Sequence, residues 1–457
     1  MSRFASSAAS AALGAGLAAA AFAASGGFQI DSTALVEMAV FAVSGVLVAL
    51  AILRRRDGGR QHGLITLLAF AILAGVTALS ILWSISPENS WFEANRTLAY
   101  LAAFAGAVAV ARLVTTSAAT PSGEGPAIVL RAILIAGFAV VAYALASRVW
   151  PASLAADETY ARIGQPYEYW NAVGATVALL VPPALWLGAR RSGHGAANAL
   201  AYPLLSLSIV ALFLSYSRGA MIATAIVVVA WLAFVPLRLR SLTVFAVALA
   251  GAAPVLAWAL QRDGFTQNET PLVVRESIAS DFGIALLATA LVMLAVGLVF
   301  NFRLARRPPL PRTRMRAGMV AAACALAVPV VLFAMLASSD RGFEGTINAS
   351  VESLTSPSAA APGGPSRLTS ASSSRALYWK QARQVFRHNR AGTGAGTFGI
   401  SRLRYRSDQL VSRQAHGFIP QTAADMGIPG LIAIALLTIA CAVAVSRAIG
   451  FPPVRGN

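Results

Sequence analysis

A series of about a dozen long apolar runs dominates this sequence and limits the folds open to it. A helix of ~20 apolar residues rises ~30 Å, the thickness of the hydrocarbon core of a bilayer. Hydrophobic residues make up 57 % of the chain and charged residues 12 %, against about 25 % charged residues in soluble domains. The sequence therefore predicts an all-α polytopic membrane protein with about 12 transmembrane helices. The runs are 5–27, 33–53, 63–83, 97–113, 126–149, 171–188, 198–216, 219–235, 242–260, 282–300, 317–337 and 427–446.

The arginines between these runs predict the orientation of the chain. They cluster in alternate connections, whereas most acidic residues lie in the opposite ones. Basic residues are enriched in cytoplasmic loops, so the N-terminus is predicted to be cytoplasmic and the acidic loops external. The first run has "AFAASG" near its end and is alternatively a cleaved signal peptide, which would leave the other spans oriented as before. The basic connections hold Arg54, Arg55, Arg56, Arg60, Arg190, Arg191, Arg238, Arg240, Arg447, Arg455 and the run 303–316.

Three regions follow from this topology. Residues 1–337 are predicted to hold transmembrane helices 1–11, and residues 338–426 to form one long external loop. Residues 427–457 would then hold the last transmembrane helix and a cytoplasmic tail. Such a chain is expected to be a multi-pass protein surrounded by membrane lipids.

Several classes of function are excluded by composition and spacing. The formal charge of +18 is scattered over short loops and forms no soluble basic domain, so nucleic acid is not an expected partner. The two cysteines, Cys324 and Cys441, lie inside apolar runs and are expected to be small buried residues. No histidines, cysteines or carboxylates stand at metal-ligand spacing, and no P-loop is present. We therefore expect no metal and no other cofactor.

The segment 198–235 is too long for one span, because a continuous helix of this length would be about twice as long as the bilayer core is thick. It must bend, and its central charge is Arg218 in "SYSRGAMIA". Gly219 beside it is predicted to allow the turn. Arg218 then lies at the outer end of a hairpin. It either snorkels to the interface or binds an anion such as phosphate through its planar guanidinium.

The long loop carries a second basic region. Its first part is rich in Ser, Pro and Gly, and the following "RALYWKQARQVFRHN" predicts a basic amphipathic helix on the outer membrane surface. A glycine turn, "AGTGAGTFG", and the arginines Arg402, Arg404 and Arg406 lead on to His416. The excess of arginine in this loop indicates either contact with anionic lipid headgroups or a site for a polyanionic ligand such as a diphosphate.

His416 is the candidate acid–base group, since a neutral imidazole accepts a proton near neutral pH. The alternative is a hydrogen-bonded structural histidine. A third external segment, "RIGQPYEYWNAVG", offers Arg162 and Asn171 as polar site residues. Its aromatic residues favour an interfacial belt over a sugar platform.

These segments together resemble the bacterial O-antigen ligase and polymerase family. "WSISPENSWFEANRTLAYL", "RIGQPYEYWNAVG" and "SYSRGA" are similar to its external loops and its Ser-Arg-Gly hairpin. "YWKQARQVFRHNRAGTGAGTF" and "HGFIPQTAADMGIPG" are similar to its basic helix, glycine turn and histidine motif. Gly417 stands where the family usually has Asn.

The resemblance implies a GT-C-like membrane glycosyltransferase in the cytoplasmic (inner) membrane with its active site on the external face. Its donor would be a polyprenyl-diphosphate-linked glycan, and its acceptor a hydroxyl of a glycan, lipid or protein. His416 would act as the base and Arg218 would stabilise the leaving diphosphate. Arg402, Arg404, Arg406, Arg162 and Asn171 would bind substrate. If His416 were dispensable, Asp425 or Asp408 would be the next candidate base.

Two other classes of protein remain open. A secondary transporter of a small anion should have interrupted spans in matched halves, and the sequence shows one interruption, at Arg218. A non-catalytic partner in envelope assembly would tolerate changes at Arg218 and His416.

Overall fold

Helices joined by irregular connections make up the residues that the structure of this chain, a computed structural model, describes. Those residues are 3–27, 30–54, 63–116, 124–235, 237–304, 312, 315, 364–365, 375–407 and 411–448. No strand occurs in these ranges. The helices are α1 (Arg3–Ala24), α2 (Ile30–Leu53), α3 (Leu64–Leu79), α4 (Pro87–Thr116), α5 (Glu124–Val149), α6 (Pro151–Leu154), α7 (Trp170–Ala189), α8 (Gly195–Ala199), α9 (Ala201–Leu214), α10 (Arg218–Phe234), α11 (Arg238–Ala259), α12 (Asp263–Thr266), α13 (Leu272–Ser277), α14 (Ala279–Val299), α15 (Arg375–His388), α16 (Phe398–Ser401) and α17 (Phe418–Ala448).

Ten helical segments of the described residues are long and apolar enough to cross a membrane, and α10 is a shorter apolar helix. This confirms a polytopic all-α membrane protein. Eleven of the twelve predicted runs correspond to these segments. The run 317–337 lies outside the described residues, so the count of 12 stays a prediction. Large apolar side chains such as Val229 and Leu291 are exposed on the helix surfaces, as expected for a lipid-facing protein.

The chain divides into two compact units. The first unit comprises Met1–Thr33, Pro126–Ala349 and Ala361–Ala371, and the second comprises Ala34–Gly125, Ser350–Ala360 and Ser372–Asn457. The division does not follow the three predicted regions, because α2, α3 and α4 cluster with the last helix rather than with α5 to α14.

The core of the first unit is built around α9, which packs against α7, α11 and α14. Tyr202, Leu205 and Ile209 of α9 are buried in this core. A Cβ on Gly251 of α11 would overlap the sulfur of Met293, so the small residue lets α11 and α14 approach closely. Ser206 also donates a hydrogen bond of 2.8 Å to the Ala248 carbonyl, which joins α9 to α11.

In the second unit, α17 packs against α3 and α15, and α3 packs against α4. α4 begins at Pro87, ten residues before the predicted run, so much of the predicted external loop at this point is helix. Proline suits the first turn of a helix because its missing amide hydrogen has no partner to lose there.

The predicted amphipathic helix is present as α15, but its apolar face is not free for lipid. Tyr378, Ala382 and Val385 are buried in one cluster with Phe398 and the residues Ala415 and Ala424. The expectation that this helix lies on the membrane surface through its apolar face is therefore corrected. The apolar residues at helical spacing in α15 are buried against other residues of the second unit. Hydropathy alone does not distinguish such burial from burial in lipid.

The hairpin between α9 and α10 turns at Tyr216, not at the predicted Gly219. Tyr216 has φ 44°, in the left-handed region, whereas Gly219 lies inside the first turn of α10. Ser217 caps α10 by accepting a hydrogen bond of 3.4 Å from the Ala220 amide. Arg218 is therefore the first residue of a helix that starts directly after the turn.

Candidate functional site

The last described helix, α17, is interrupted at Gly427. This residue has φ 57° and ψ −145°, a conformation open to glycine and rarely adopted by other residues. Pro429 has no amide hydrogen, so the carbonyl of Asp425 lacks its helical donor. Backbone groups at the break must therefore be hydrogen-bonded from outside the helix. This is a second interrupted span, which sequence inspection did not reveal.

Arg390 and the glycine turn at 391–399 supply these partners. A Cβ on Gly392 would overlap the backbone at Asp425, so glycine is required for the two backbones to meet. The turn is thus fixed on the helix break and is not a flexible linker. The bonds that join them are Thr393 N to Ala424 O at 3.1 Å, Gly394 N to Asp425 O at 2.8 Å and Ile428 N to Arg390 O at 2.8 Å.

The residues from the end of α3 to the first turn of α4 hold the other side of the same turn. Ser80 accepts a hydrogen bond of 3.0 Å from the Ala395 amide, and Ser90 donates one of 2.8 Å to the Ala395 carbonyl. A Cβ on Gly396 would lie 2.6 Å from the Glu93 side chain. Glu93 in turn forms an ion pair of 2.7 Å with Arg96. The predicted early loop and the glycine turn are therefore in contact within the second unit.

His416 lies next to this assembly, in the bend before α17. Gln421 accepts a hydrogen bond of 2.6 Å from the Ala415 amide and donates one of 2.6 Å to Oδ2 of Asp425. The same Oδ2 accepts a bond of 3.0 Å from the Gly396 amide. A chain of hydrogen bonds thus links the peptide before His416, a buried carboxylate and the glycine turn.

The surroundings of the imidazole favour its neutral form. The ring of His416 lies 5.7 Å from the ring of Tyr378, centroid to centroid. Partial burial of the ring lowers the pKa of His416 below its ordinary value of 6.5, and the positive charge of Arg375 lowers the pKa further. At neutral pH the imidazole is therefore uncharged and able to accept a proton.

Arg402, Arg404 and Arg406, the three arginines predicted to bind substrate, occupy different environments. Arg402 is 1 % exposed, donates a hydrogen bond of 2.7 Å to Gln381, and has its guanidinium carbon 5.1 Å from the ring centre of Tyr378. Tyr378 therefore contacts both Arg402 and His416. Arg404 and Arg406 are exposed. Sequence alone placed these arginines in one group, and their different burial comes from the 3₁₀ turn at Arg402–Arg404.

In the first unit, Arg162 is buried against the hairpin. Its Nε donates to the Ser215 carbonyl at 2.9 Å, and its Nη2 lies 3.2 Å from the Tyr216 carbonyl and 3.3 Å from Oδ1 of Asn171. The guanidinium carbon is 4.2 Å from the ring centre of Trp170. The predicted residues Arg162 and Asn171 are therefore together, and Trp170, predicted to belong to a membrane belt, packs on the arginine.

Asn171 joins this arginine to the start of α10. Its Oδ1 accepts a hydrogen bond of 2.8 Å from Ser217, and its Nδ2 donates one of 2.8 Å to the hydroxyl of Tyr169. Arg218 follows Ser217 and is half-buried. Tyr216 anchors the hairpin turn through its hydroxyl, which donates a hydrogen bond of 2.9 Å to the Phe265 carbonyl. Burial raises the pKa of Tyr216 to about 12, so the donor stays protonated.

The buried ion pair of Arg148 and Glu158 holds the backbone at Arg162, and sequence analysis did not single it out. Nη2 of Arg148 lies 3.0, 3.1 and 2.9 Å from the carbonyl oxygens of Tyr160, Ala161 and Arg162 and 3.3 Å from Glu158. Burial raises the pKa of Glu158, while the charges of Arg148 and Arg275 oppose that rise. These contacts fix the loop before α7. They join residues 10 to 14 positions apart in irregular backbone, so no sequence periodicity reports them.

Among the residues that the structure describes, no group of three or more His, Cys, Asp or Glu is placed to hold a metal ion. The charged side chains that are exposed or half-buried at the candidate sites, Arg218, Arg404 and Arg406, are hydrogen-bond donors, and His416 adds an imidazole. Such a set suits an anionic ligand and a proton transfer.

The segment that contains His416 has relatives among known protein families. Residues 278–435 match the O-antigen ligase family. The match covers about a third of the chain and includes Arg402, Arg404, Arg406 and His416, whereas Arg162, Asn171 and Arg218 lie before it. It confirms the resemblance found in the sequence motifs. Comparisons with curated proteins and with solved structures gave no match.

The match and the apolar helices together indicate a membrane enzyme of the glycan ligase or polymerase kind. Sequence analysis did not single out Ser217 or Gln421. Ser217 has a short hydroxyl side chain and Gln421 an amide, and neither stands out within the quoted motifs. Their importance is visible only through the bonds that they make to Asn171 and Asp425.

Proposed function

We propose that this protein transfers a glycan from a polyprenyl-diphosphate carrier to an acceptor hydroxyl on the outer face of the cytoplasmic membrane. The observation that carries the proposal is the environment of His416 within the segment that matches the O-antigen ligase family. Its lowered pKa keeps the imidazole neutral, and its backbone is anchored through Gln421. A membrane transferase that uses no nucleotide sugar needs such a base.

The chemistry follows from these groups. The acceptor oxygen attacks the anomeric carbon while His416 takes the hydroxyl proton. The bond from the anomeric carbon to the diphosphate oxygen breaks, and polyprenyl diphosphate leaves with the bonding electron pair. Positive charge that stabilises this oxygen lowers the barrier. We assign that role to Arg218 and to the exposed Arg404 and Arg406.

Arg162 and Arg402 receive a different assignment. Both are almost fully buried, at 3 % and 1 % exposure, and their described hydrogen bonds go to protein groups. We infer that Arg162 and Asn171 shape the hairpin that presents Arg218, and that Arg402 holds α15 beside His416. This revises the expectation that both arginines bind substrate.

The test is the lipid-linked glycan content of a strain that lacks the gene. We expect polyprenyl-diphosphate glycan to accumulate in the deletion, to be cleared by the wild-type gene, and to persist with His416→Ala or Arg218→Ala at matched membrane levels. Lys380→Gln, an exposed change on α15, is the control and should clear the intermediate. The length of the surface glycan distinguishes a ligase from a polymerase.

Transport of a small anion is the second candidate, and the interruption of α17 at Gly427 beside the buried Asp425 favours it. It makes a different prediction in the same strain, namely that no lipid-linked intermediate accumulates. That result, or full activity of His416→Ala, would rule out the transferase mechanism described above.

A further inference from the structure

The bend before α17 holds His416 in an uncommon backbone conformation. Its φ is 51°, in the left-handed region that residues with a side chain rarely adopt. Such a conformation persists only where the surrounding structure fixes it, and it is often found at functional sites. Neighbouring groups must therefore hold the backbone around His416 in place.

Two of the constraints are packing contacts. Ala415, before the histidine, is fully buried in the cluster with Tyr378 and Phe398. Gly417, after it, lies against the indole of Trp379, since a Cβ on Gly417 would be 2.7 Å from Nε1 of that ring. Packing fixes the positions of both neighbours but not the orientation of the peptide that joins Ala415 to the preceding residue.

The third constraint is a hydrogen bond from that peptide. The Ala415 amide donates to Oε1 of Gln421 at 2.6 Å, and Nε2 of Gln421 donates to Oδ2 of Asp425 at 2.6 Å. Only one amide orientation satisfies both bonds, because a flipped side chain would place its NH₂ against an N–H and its oxygen against a carboxylate. Gln421 and Asp425 are four residues apart and so lie on the same face of the helix.

The carboxylate at the end of this chain is itself held firmly. Asp425 is 4 % exposed, and Oδ2 also accepts the Gly396 amide at 3.0 Å. Its Oδ1 is buried and makes no hydrogen bond of ordinary geometry to the described residues, although the Phe398 backbone lies close by. A buried carboxylate polarises the side-chain amide that donates to it. The oxygen of the Gln421 amide therefore accepts a stronger hydrogen bond from the Ala415 amide.

We propose that Gln421 is a positioning residue for His416, tying the peptide before the histidine to the buried Asp425 carboxylate so that the imidazole faces the acceptor hydroxyl. The inference rests on the proposed function, since it gives His416 the role of base. It adds that two residues of α17 orient this base without touching the substrate.

The experiment measures glycan transfer in membranes of the deletion strain, which contain the accumulated lipid-linked donor, after normalising to folded protein by size-exclusion chromatography. Gln421→Met keeps the side-chain volume and removes both hydrogen bonds. We expect the turnover number to fall about 10- to 100-fold, as for a small misplacement of a reacting group. The KM for donor should stay unchanged. Gln414→Met is the matched control, because Gln414 is exposed and lies two residues before His416.

Gln421→Glu provides a second variant with a pH signature. Its carboxylate would face Asp425, and only the protonated acid reproduces the pattern of one acceptor and one donor. We therefore expect its activity relative to wild type to recover as pH falls. A merely structural role would lower the amount of folded protein in both variants and leave the turnover number and its pH dependence unchanged.

The outcomes separate the two levels of inference. If Gln421→Met turns over like wild type while His416→Ala is inactive, the positioning role is wrong and the proposed function stands. If His416→Ala retains full activity, the base assignment and the positioning role are both overturned. A fall in turnover for Gln421→Met and not for Gln414→Met supports the proposal.

Discussion

At the scale of single residues, the charge of Arg375 sets part of the acid–base behaviour of His416. The base works only when neutral, so activity is lost as pH falls through the pKa of His416. Burial and Arg375 hold this pKa below the ordinary value of 6.5. Arg375→Gln removes one of the two causes and raises the pKa. We expect the acidic limb of the kcat/KM profile to move to higher pH, by less than about one unit because exposed charges are screened.

The matched control is Lys380→Gln, which removes a charge of the same sign from an exposed position on the same helix. Its acidic limb should coincide with that of the wild type. Raising the salt concentration should also move the wild-type limb towards that of Arg375→Gln. An Arg375→Gln limb that stays in place at low salt would contradict the electrostatic explanation.

Burial separates two neighbouring arginines that look equivalent in sequence. Arg402→Ala removes the packing on Tyr378 and the hydrogen bond to Gln381, which we expect to cost about 2–3 kcal/mol of stability. Arg404→Ala removes an exposed side chain and should change stability by less than about 0.5 kcal/mol.

Thermal unfolding of both variants in detergent measures this difference. Transfer assays on folded protein then test whether Arg404→Ala raises the KM for donor, as a phosphate contact requires. Equal loss of stability in the two variants would show that burial does not distinguish them.

At the scale of elements, the glycine turn is expected to be the least tolerant segment of the second unit. Gly394 has φ 104°, and a Cβ there would overlap Ser84. Gly394→Ala should therefore destabilise the protein by more than about 2 kcal/mol. Gly75, inside α3, has no atom within 4 Å of an added Cβ. Gly75→Ala should be neutral or stabilise the protein by up to about 1 kcal/mol.

The pair is compared by thermal unfolding at matched detergent concentration. A Gly394→Ala protein as stable as the wild type would mean that the turn does not pack on the helix break as described. Loss of stability in Gly75→Ala would instead indicate a general intolerance of the unit to added methyl groups.

The elements also show where sequence reasoning reached its limit. Glycine-rich turns and apolar runs are local patterns, and they located α15, the glycine turn and the hairpin. The hairpin turn itself was misplaced, because Gly219 is the obvious left-handed residue and Tyr216 is not. The hydroxyl of Tyr216 is bonded to the Phe265 carbonyl, 49 residues away, and this bond anchors the turn. A contact of that range has no signature along the chain.

At the scale of the whole molecule, the predicted orientation rests on the alternation of arginine-rich and acidic connections. It places Ser192, beside Arg190 and Arg191, in the cytoplasm and Arg404 outside. Both positions are exposed. Hydropathy established the helical class, because continuous apolar runs of about 20 residues match membrane-spanning helices, whereas spanning strands are about half as long and alternate in polarity. It did not establish the division into two units, which depends on which helices pack together.

The two positions allow a test of orientation and of span number together. Five predicted runs separate residue 192 from residue 404, an odd number that places them on opposite sides. The structure describes four of these, and the fifth, 317–337, lies outside the described residues. In a chain with Cys324 and Cys441 replaced by alanine, an impermeant maleimide should label Arg404→Cys in intact spheroplasts and Ser192→Cys only after lysis. Labelling of both only after lysis would mean that the run 317–337 does not cross, and the reverse pattern would invert the topology. Only the predicted pattern keeps His416 and its arginines on the side where a lipid-linked donor would be used.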